Sequence, residues 1–307
     1  MDQYNDIAII GAGMAGLTAA RRLAARGRRV TVFDKGRKAG GRLATRRGAD
    51  FTFNHGCQYF TARDPGFAAL MERAGAVPWP AAGSRRFAGV PDMAALAEFL
   101  AREVDVHVET PVLAISGAAG GWELALADDV KKRFRTLILA IPAPQAAALL
   151  GPADHRFVGM LGAVHLAPCW AVMLGFAGDV PGPDTTRPNA GPIAWIAREN
   201  SRPGRAETPA AYTIHAAPGW SLAHLEDDKA AVIAALTEAF AAATGITALP
   251  ACAAAHRWRY ALADRPLGGP CLWDPAARLG LCGDWCLDGK LEAAYLSGLT
   301  MGETILD

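Results

Sequence analysis

The 307-residue sequence predicts an α/β fold of about two domains. Three observations carry that expectation. The chain is 51% hydrophobic and 20% charged, enough apolar material to bury a sizeable core. Near the N-terminus, a short apolar run, Ile7 to Ile10, opens onto a glycine cluster, an Ala/Leu-rich stretch and a second apolar run that ends in Asp34. Further runs of strand length then alternate with helical patterns, bounded by Pro/Gly clusters.

Taken in order, Ile7–Ile10 reads as a strand buried on both faces. Leu17 to Arg26 reads as a helix stopped by Gly27, with Arg21, Arg22 and Arg26 on its polar side. Val30–Phe33 is the second strand, which completes a right-handed βαβ unit. Lys35 to Gly48 is polar and glycine-rich, as an extended loop is. Helices are expected over 67–75, 92–103 and 145–150, and strands over 104–108, 112–116, 122–127 and 136–141. Strands 166–176, 193–198 and 211–216 follow, then one long helix from about Ser221 to Ala243. A short strand, Leu279–Cys282, precedes Gly283-Asp284, and a helix over 291–306 closes the chain.

Charge and cysteine usage exclude several function classes. The 31 basic and 30 acidic residues leave a net charge of +1, without the basic excess of a nucleic-acid or membrane-surface specialist. No 18-residue apolar run suggests a membrane span, and Met1 to Asp6 does not read as a secretory signal, so a cytoplasmic protein is expected. Six cysteines are too sparse for a disulfide scaffold, and no C-x-x-C or His pair at i, i+4 supports a metal site. Cys282 and Cys286 invite a redox reading, but packing residues are the expectation for that spacing in a cytosolic chain.

Gly11-Ala12-Gly13-Met14-Ala15-Gly16 carries the clearest chemistry. In a strand-to-helix turn, Gly11 permits the tight turn, Gly13 lets the backbone approach a diphosphate, and Gly16 lets helix and strand pack closely. The helix-start amides then face the phosphate charge. Asp34, 18 residues beyond Gly16, stands where a carboxylate accepts from ribose hydroxyls. This is a Rossmann-type dinucleotide unit. From Arg21 to Arg47 there are eleven basic residues and Asp34 alone as acid, a field suited to steering an anionic dinucleotide.

Gly40-Gly41-Arg42 close behind the second strand, and Gly283-Asp284 before the last helix, resemble the FAD proteins of the amine-oxidase superfamily. The resemblance implies a Rossmann-type FAD-binding domain with an interleaved α+β substrate domain, as in amine oxidases and p-hydroxybenzoate hydroxylase. The FAD domain would comprise 1–75, 104–150 and 270–307, and the substrate domain 76–103 and 151–269. Implied FAD-binding residues are Gly11, Gly13, Met14, Ala15, Gly16, Asp34, Lys35, Gly41, Arg42, His55, Gly56, Cys57, Gly283, Asp284 and Leu291. The last helix would point its N-terminus at the flavin ring, where it favours negative charge.

Phe53-Asn54-His55-Gly56-Cys57-Gln58-Tyr59-Phe60-Thr61-Ala62-Arg63-Asp64 resembles the signature that follows in renalase and its bacterial relatives. So do Ala167–Trp170, Ala194–Arg198, His215–Trp220, His256–Tyr260 and Gly283–Cys286. Departures are Asn54 and Cys57, where an acid and an alanine are expected, and Lys290 in place of an arginine. The resemblance implies an FAD oxidase that takes hydride from 1,2- or 1,6-dihydro isomers of NAD(P)H onto flavin N5. O2 then reoxidises the flavin, giving NAD(P)+ and H2O2. Tyr59, Trp258 and Trp285 are the aromatic candidates for stacking a flat ring, and Gln58, His215 and Arg259 the polar ones. The expected partners are a dinucleotide substrate and O2, with no nucleic acid, membrane or obligate protein partner. A flavin amine oxidase or other small-molecule FAD oxidoreductase is the alternative, and a flavin-binding sensor or a flavin-free NAD-binding protein stay open.

Overall fold

The structure, a computed structural model, describes residues 5–48, 50–118 and 120–307. The chain divides into two compact units, one of Met1–Gly41, Ala97–His165 and Ala263–Asp307, the other of Arg42–Leu96 and Leu166–Leu262.

The first unit is built on an eight-stranded sheet. Strand β1 (Asn5–Ile10) pairs in parallel with β2 (Val30–Phe33) on one side and with Lys131–Leu139 on the other. Asp105–His107 extends the parallel set beyond β2, and Leu279–Leu281 extends it beyond Lys131–Leu139. Leu272–Asp274 and Gly121–Ala125 join antiparallel. The central strands read as continuous apolar runs because both faces are covered, and Ile7, Ala8, Ile9, Val32, Leu137, Ile138 and Leu139 are all buried.

Helix α1 (Met14–Ala24) connects β1 to β2 and starts three residues earlier than the pattern suggests, because Gly13 serves as its N-cap. It packs on the closing helix, Leu291–Thr304, through small residues. A Cβ on Gly298 would stand 2.2 Å from the Ala15 carbonyl oxygen, and one on Gly302 would stand 2.9 Å from Cβ of Arg22. Only glycine lets the helices come so close.

The second unit carries a five-stranded sheet in the order Thr185–Thr186, Ile193–Arg198, Ala211–Ala216, His165–Gly175 and Cys252–Arg265. Alternation sorts its two faces. Trp170, Val172, Leu174, Tyr212 and Ile214 point to one face and pack on Val232, Leu236 and Phe240 of the helix Lys229–Thr244. Met173 and Ala211 point to the other, against Phe53. Thr213 and His215 share the parity of Ala211, and so lie on that second face.

Three expectations change. The single helix over 221–243 is two, Pro218–Ala223 and Lys229–Thr244, because Asp228 caps the second by accepting from the amides of Ala230 and Ala231 at 2.8 and 3.0 Å. The loop over 35–48 contains a strand, Thr45–Arg47, paired with Thr52–Asn54. That hairpin groups with the second unit, because Arg47 forks onto the buried Asp92 at 2.7 and 2.9 Å and Asn54 bonds Glu199.

Candidate functional site

Within the first unit, three parallel strands end level, with Ile10 beside Leu139 and Leu139 beside Leu281. Gly11 and Cys282-Gly283 therefore leave the sheet at the same carboxyl edge, where open α/β sheets bind ligands. Gly11 has φ +107°, and a Cβ there would come within 2.5 Å of the Ala140 carbonyl oxygen. A Cβ on Gly16 would stand 2.0 Å from the Gly11 oxygen, so the turn closes only with glycine at both places. Gly13 is different, since a Cβ there would meet nothing within 4 Å. Space lies in front of it, and no side chain caps α1. The first-turn amides of Met14, Ala15 and Gly16 have no acceptor within the helix. An open cradle of backbone donors fits the diphosphate of a dinucleotide.

Asp34 ends β2 and accepts the Ala12 amide on one oxygen and the Gly36 amide on the other, each at 2.7 Å. Each oxygen keeps a lone pair, so the carboxylate can still accept from ribose. Gly40 donates to the Ala12 oxygen at 2.8 Å, and a Cβ on Gly41 would lie 3.5 Å from Cα of Gly13. The second glycine pair thus lies on the first. Lys35 is exposed.

At Gly283 the backbone is extended, and its amide donates to Ser297 Oγ at 2.9 Å. Asp284 is buried, and its carbonyl accepts from Leu287 and Asp288 at 3.0 Å. Trp285 is 1% exposed and spends its indole N–H on the Ile141 carbonyl, so it packs as core and a Cβ on Gly283 would strike it at 2.4 Å. Leu291 opens the last helix after Lys290, again without a side-chain cap. Burial pushes the Cys286 thiol up to about 12 and that of Cys282 well above its ordinary value. Both are free thiols and inert.

In the second unit, residues 54–59 form a wall. His55 is buried and stacks on Trp258 at 5.4 Å and 20°. Its carbonyl accepts the Trp258 indole N–H at 2.8 Å and lies 3.1 Å from His215 Nε2. A carbonyl only accepts, so His215 carries its proton on Nε2 and leaves Nδ1 as acceptor. Burial holds the pKa values of His55 and His215 down at about 4, helped by His256 at the first and by the Arg202 charge at the second. Both rings are neutral at pH 7. His55 Nδ1 is buried without a partner. A Cβ on Gly56 would stand 2.1 Å from the Arg42 oxygen, and Arg42 Nη1 donates to Ala261 at 2.8 Å. Cys57 donates its amide to Arg42 and its thiol to the Tyr59 carbonyl, and burial raises that thiol to about 11.

Beneath this wall lies a buried charge network. Glu199 and Arg202 are each 2% exposed and pair at 2.7 Å. Arg202 donates to the Gln58 carbonyl at 2.6 Å and to Gln58 Oε1 at 2.7 Å. Gln58 Nε2 donates to the Asn54 carbonyl, and Trp195 Nε1 donates to Oε1 at 3.4 Å. Both ends of the Gln58 amide are thereby engaged inside the protein. Glu199 also accepts from the Asn54 amides, at 3.0 and 2.9 Å, and from Thr213 at 2.6 Å. Asn54 suits this place because a carboxylate there would face Glu199. Tyr59 and Trp195 lie above, ring centroids 5.5 Å apart.

Of the sequence-derived candidates, the structure brings His55, Gly56, Cys57, Gln58, Tyr59, His215 and Trp258 together. Arg259 turns instead to Glu226, at 2.7 Å, beside Arg257. Sequence reasoning passed over Glu199, Arg202 and Thr213. The one signal was an acid and a base three residues apart after a strand, which does not reveal burial.

Among the described residues, no group of His, Cys, Asp and Glu side chains is arranged to hold a metal ion, and no helix is long and apolar enough to cross a membrane. A family model for NAD(P)-binding Rossmann-like domains matches residues 9–74. One for flavin containing amine oxidoreductases matches residues 79–306, well over half of the chain. A 4,4'-diapophytoene desaturase of Staphylococcus haemolyticus (strain JCSC1435) is 42% identical over 69 residues, 22% of this chain and 14% of that protein. The Staphylococcus aureus (strain Newman) enzyme of the same name is 48% identical over 50 residues, 16% and 10% of the two chains. The matched stretch is a small part of those curated relatives.

Among solved structures, an Exiguobacterium sp. 255-15 protein assigned as a protoporphyrinogen oxidase superposes with a TM-score of 0.78 at 15% identity, covering 98% of both chains. A putrescine oxidase bound to putrescine gives 0.72 at 14%, covering 99% of both. These likenesses show a shared fold. With its Rossmann-type dinucleotide-binding unit and FAD as cofactor, the chain belongs to the family of flavin-containing amine oxidoreductases.

Proposed function

We propose that the chain is an FAD-dependent oxidase of dihydronicotinamides, acting on 1,2- or 1,6-dihydro isomers of NAD(P)H. FAD supplies a two-electron acceptor that O2 restores, so that dihydro-NAD(P), O2 and a proton give NAD(P)+ and H2O2. The glycine turn with Asp34, and Gly41, Gly283, Asp284 and Leu291, would hold the cofactor from the first unit. Of the further cofactor candidates, Arg42, His55, Gly56 and Cys57 belong to the second unit.

The observation that carries the reading is the charge around the Tyr59–Trp195 pair. An aromatic cage for an alkylammonium needs open ring faces or an anion nearby. Here Glu199 is neutralised by Arg202, and the guanidiniums of Arg86 and Arg187 rest over the two rings. A cationic amine meets repulsion there, whereas a flat, electron-rich ring on an anionic dinucleotide is attracted. Neutral His215 and the immobilised Gln58 add shape without a competing proton. A dihydropyridine becomes aromatic on losing hydride and needs no general base, so orientation is the protein's main task.

Anaerobic mixing of the yellow holoenzyme with borohydride-treated NAD+, and separately with primary and secondary amines, tests the proposal. Rapid flavin bleaching by the dihydronicotinamide mixture is expected. Bleaching by amines alone defeats the reading and supports amine oxidation instead.

A further inference from the structure

Five arginines of the second unit pair with acids: Arg47 with Asp92, Arg198 with Asp179, Arg202 with Glu199, and Arg257 and Arg259 with Glu226. Arg86 and Arg187 differ. Neither has a carboxylate within ion-pair reach among the described residues. Cζ of Arg86 lies 4.4 Å from the Tyr59 ring centroid, and Cζ of Arg187 lies 4.7 Å from that of Trp195 and 6.0 Å from that of Tyr59. Arg86 Nη1 donates to the Ala82 carbonyl, and Arg187 Nη2 donates to the Tyr59 hydroxyl. Arg187 is exposed and Arg86 half-buried, so solvent reaches both.

A guanidinium has five N–H donors in a planar fork, and one bond each leaves most of them available. Stacking on an aromatic ring fixes the plane of the fork before a ligand arrives, which lowers the entropy lost on binding. Two such groups on adjacent rings, with no acid to neutralise them, match an anion that carries several oxygens.

We propose that Arg86 and Arg187 form a phosphate subsite for the substrate, held in place by Tyr59 and Trp195. The ligand class is a phosphate ester or diphosphate attached to the ring to be oxidised. In its substrate aspect the proposal rests on the dihydronicotinamide reading above. The phosphates of a dinucleotide come from two sources, the central diphosphate and a 2′-phosphate, and the substrates of the test separate them.

Wild-type holoenzyme and the Arg86→Gln, Arg187→Gln and double variants are compared on borohydride-reduced NADP+, NAD+, nicotinamide mononucleotide and nicotinamide riboside. For wild type, kcat/KM is expected to fall as phosphate is removed. In each single variant the kcat/KM of at least one phosphate-bearing dinucleotide, taken relative to that of the riboside, should drop about tenfold, mainly through KM. A drop confined to the NADP-derived substrate assigns the 2′-phosphate, and one shared by the NAD-derived substrate assigns the diphosphate. Unchanged ratios overturn the proposal, as does an equal loss on the riboside. Calorimetric binding of inorganic pyrophosphate to the same four holoenzymes is independent of turnover. If no dihydronicotinamide is oxidised, yet pyrophosphate binds wild type and not the double variant, the functional reading fails and the subsite stands. Undiminished pyrophosphate binding by the double variant overturns the subsite.

Discussion

The carboxylate of Asp34 accepts the backbone amide of Ala12 at 2.7 Å, so the acid at the end of β2 holds the glycine turn at the end of β1. Asp34 therefore shapes the cradle as well as offering acceptors to a ribose. Asp34→Ala should weaken FAD binding by about tenfold to a hundredfold, the worth of hydrogen bonds to a charged group. Asp34→Asn, which keeps one acceptor, should lose less. Fluorescence titration of apoprotein with FAD measures both, and equal, unaltered affinities would remove Asp34 from the cofactor site.

Gly56 leaves no room for a side chain, since a Cβ would lie 2.1 Å from the Arg42 carbonyl oxygen, a backbone atom. Gly56→Ala should cost about 1–3 kcal/mol through forced backbone movement. Denaturant unfolding should show that loss, together with a perturbed flavin spectrum if this wall borders the ring.

The Glu199–Arg202 pair is buried, so removing one partner strands a charge. Arg202→Met should destabilise the protein by about 3–5 kcal/mol, and pairing it with Glu199→Gln should recover part of that loss. Denaturant midpoints of the three proteins report the coupling. Asn54→Asp, which sets a second carboxylate against Glu199, should also destabilise, and progressively more as pH rises.

His55 and His215 have pKa values near 4 in the folded protein against 6.5 in the unfolded chain. Below pH 6.5 the unfolded state takes up protons that the native state refuses. Their contribution is thus complete above about pH 6.5 and is lost as pH falls toward 4, by about 3 kcal/mol for each group. His215→Gln should flatten the dependence of unfolding free energy on pH across that window. A slope equal to wild type would show that the ring titrates normally.

Cys57, Cys169, Cys282 and Cys286 have thiols raised by burial, whereas Cys252 is exposed. A thiol reagent at pH 8 should label Cys252 first in native protein, with peptide mapping as the readout. Early labelling of Cys282 or Cys286 would revive them as a redox pair.

The βαβ unit from Ile7 to Asp34 was legible because its determinants are local. Continuous apolar runs, glycines at fixed spacing and one terminal acid each depend on near neighbours in the chain. The long strand Cys252–Arg265 was less legible. It is alanine-rich, lacks β-branched residues and is almost wholly half-buried or exposed, so neither propensity nor alternation marks it. The helix expected over 221–243 hid its break for a similar reason: Asp228 reads as one more charge until its carboxylate is seen capping. Trp285 and Arg259 looked alike as site candidates, yet one is core and the other faces Glu226.

By itself the sequence determined the α/β class, the dinucleotide turn and its acid, because strand, helix and glycine geometry are set over a few residues. Only the tertiary structure decided which charges are neutralised and which are not. Arg202 lies 144 residues from Gln58, and Arg187 lies 128 from Tyr59. Whether a guanidinium meets a carboxylate, an amide or an aromatic face depends on strands brought side by side from distant parts of the chain. The energy of a charge is set by that surrounding, and no spacing rule along the sequence records it.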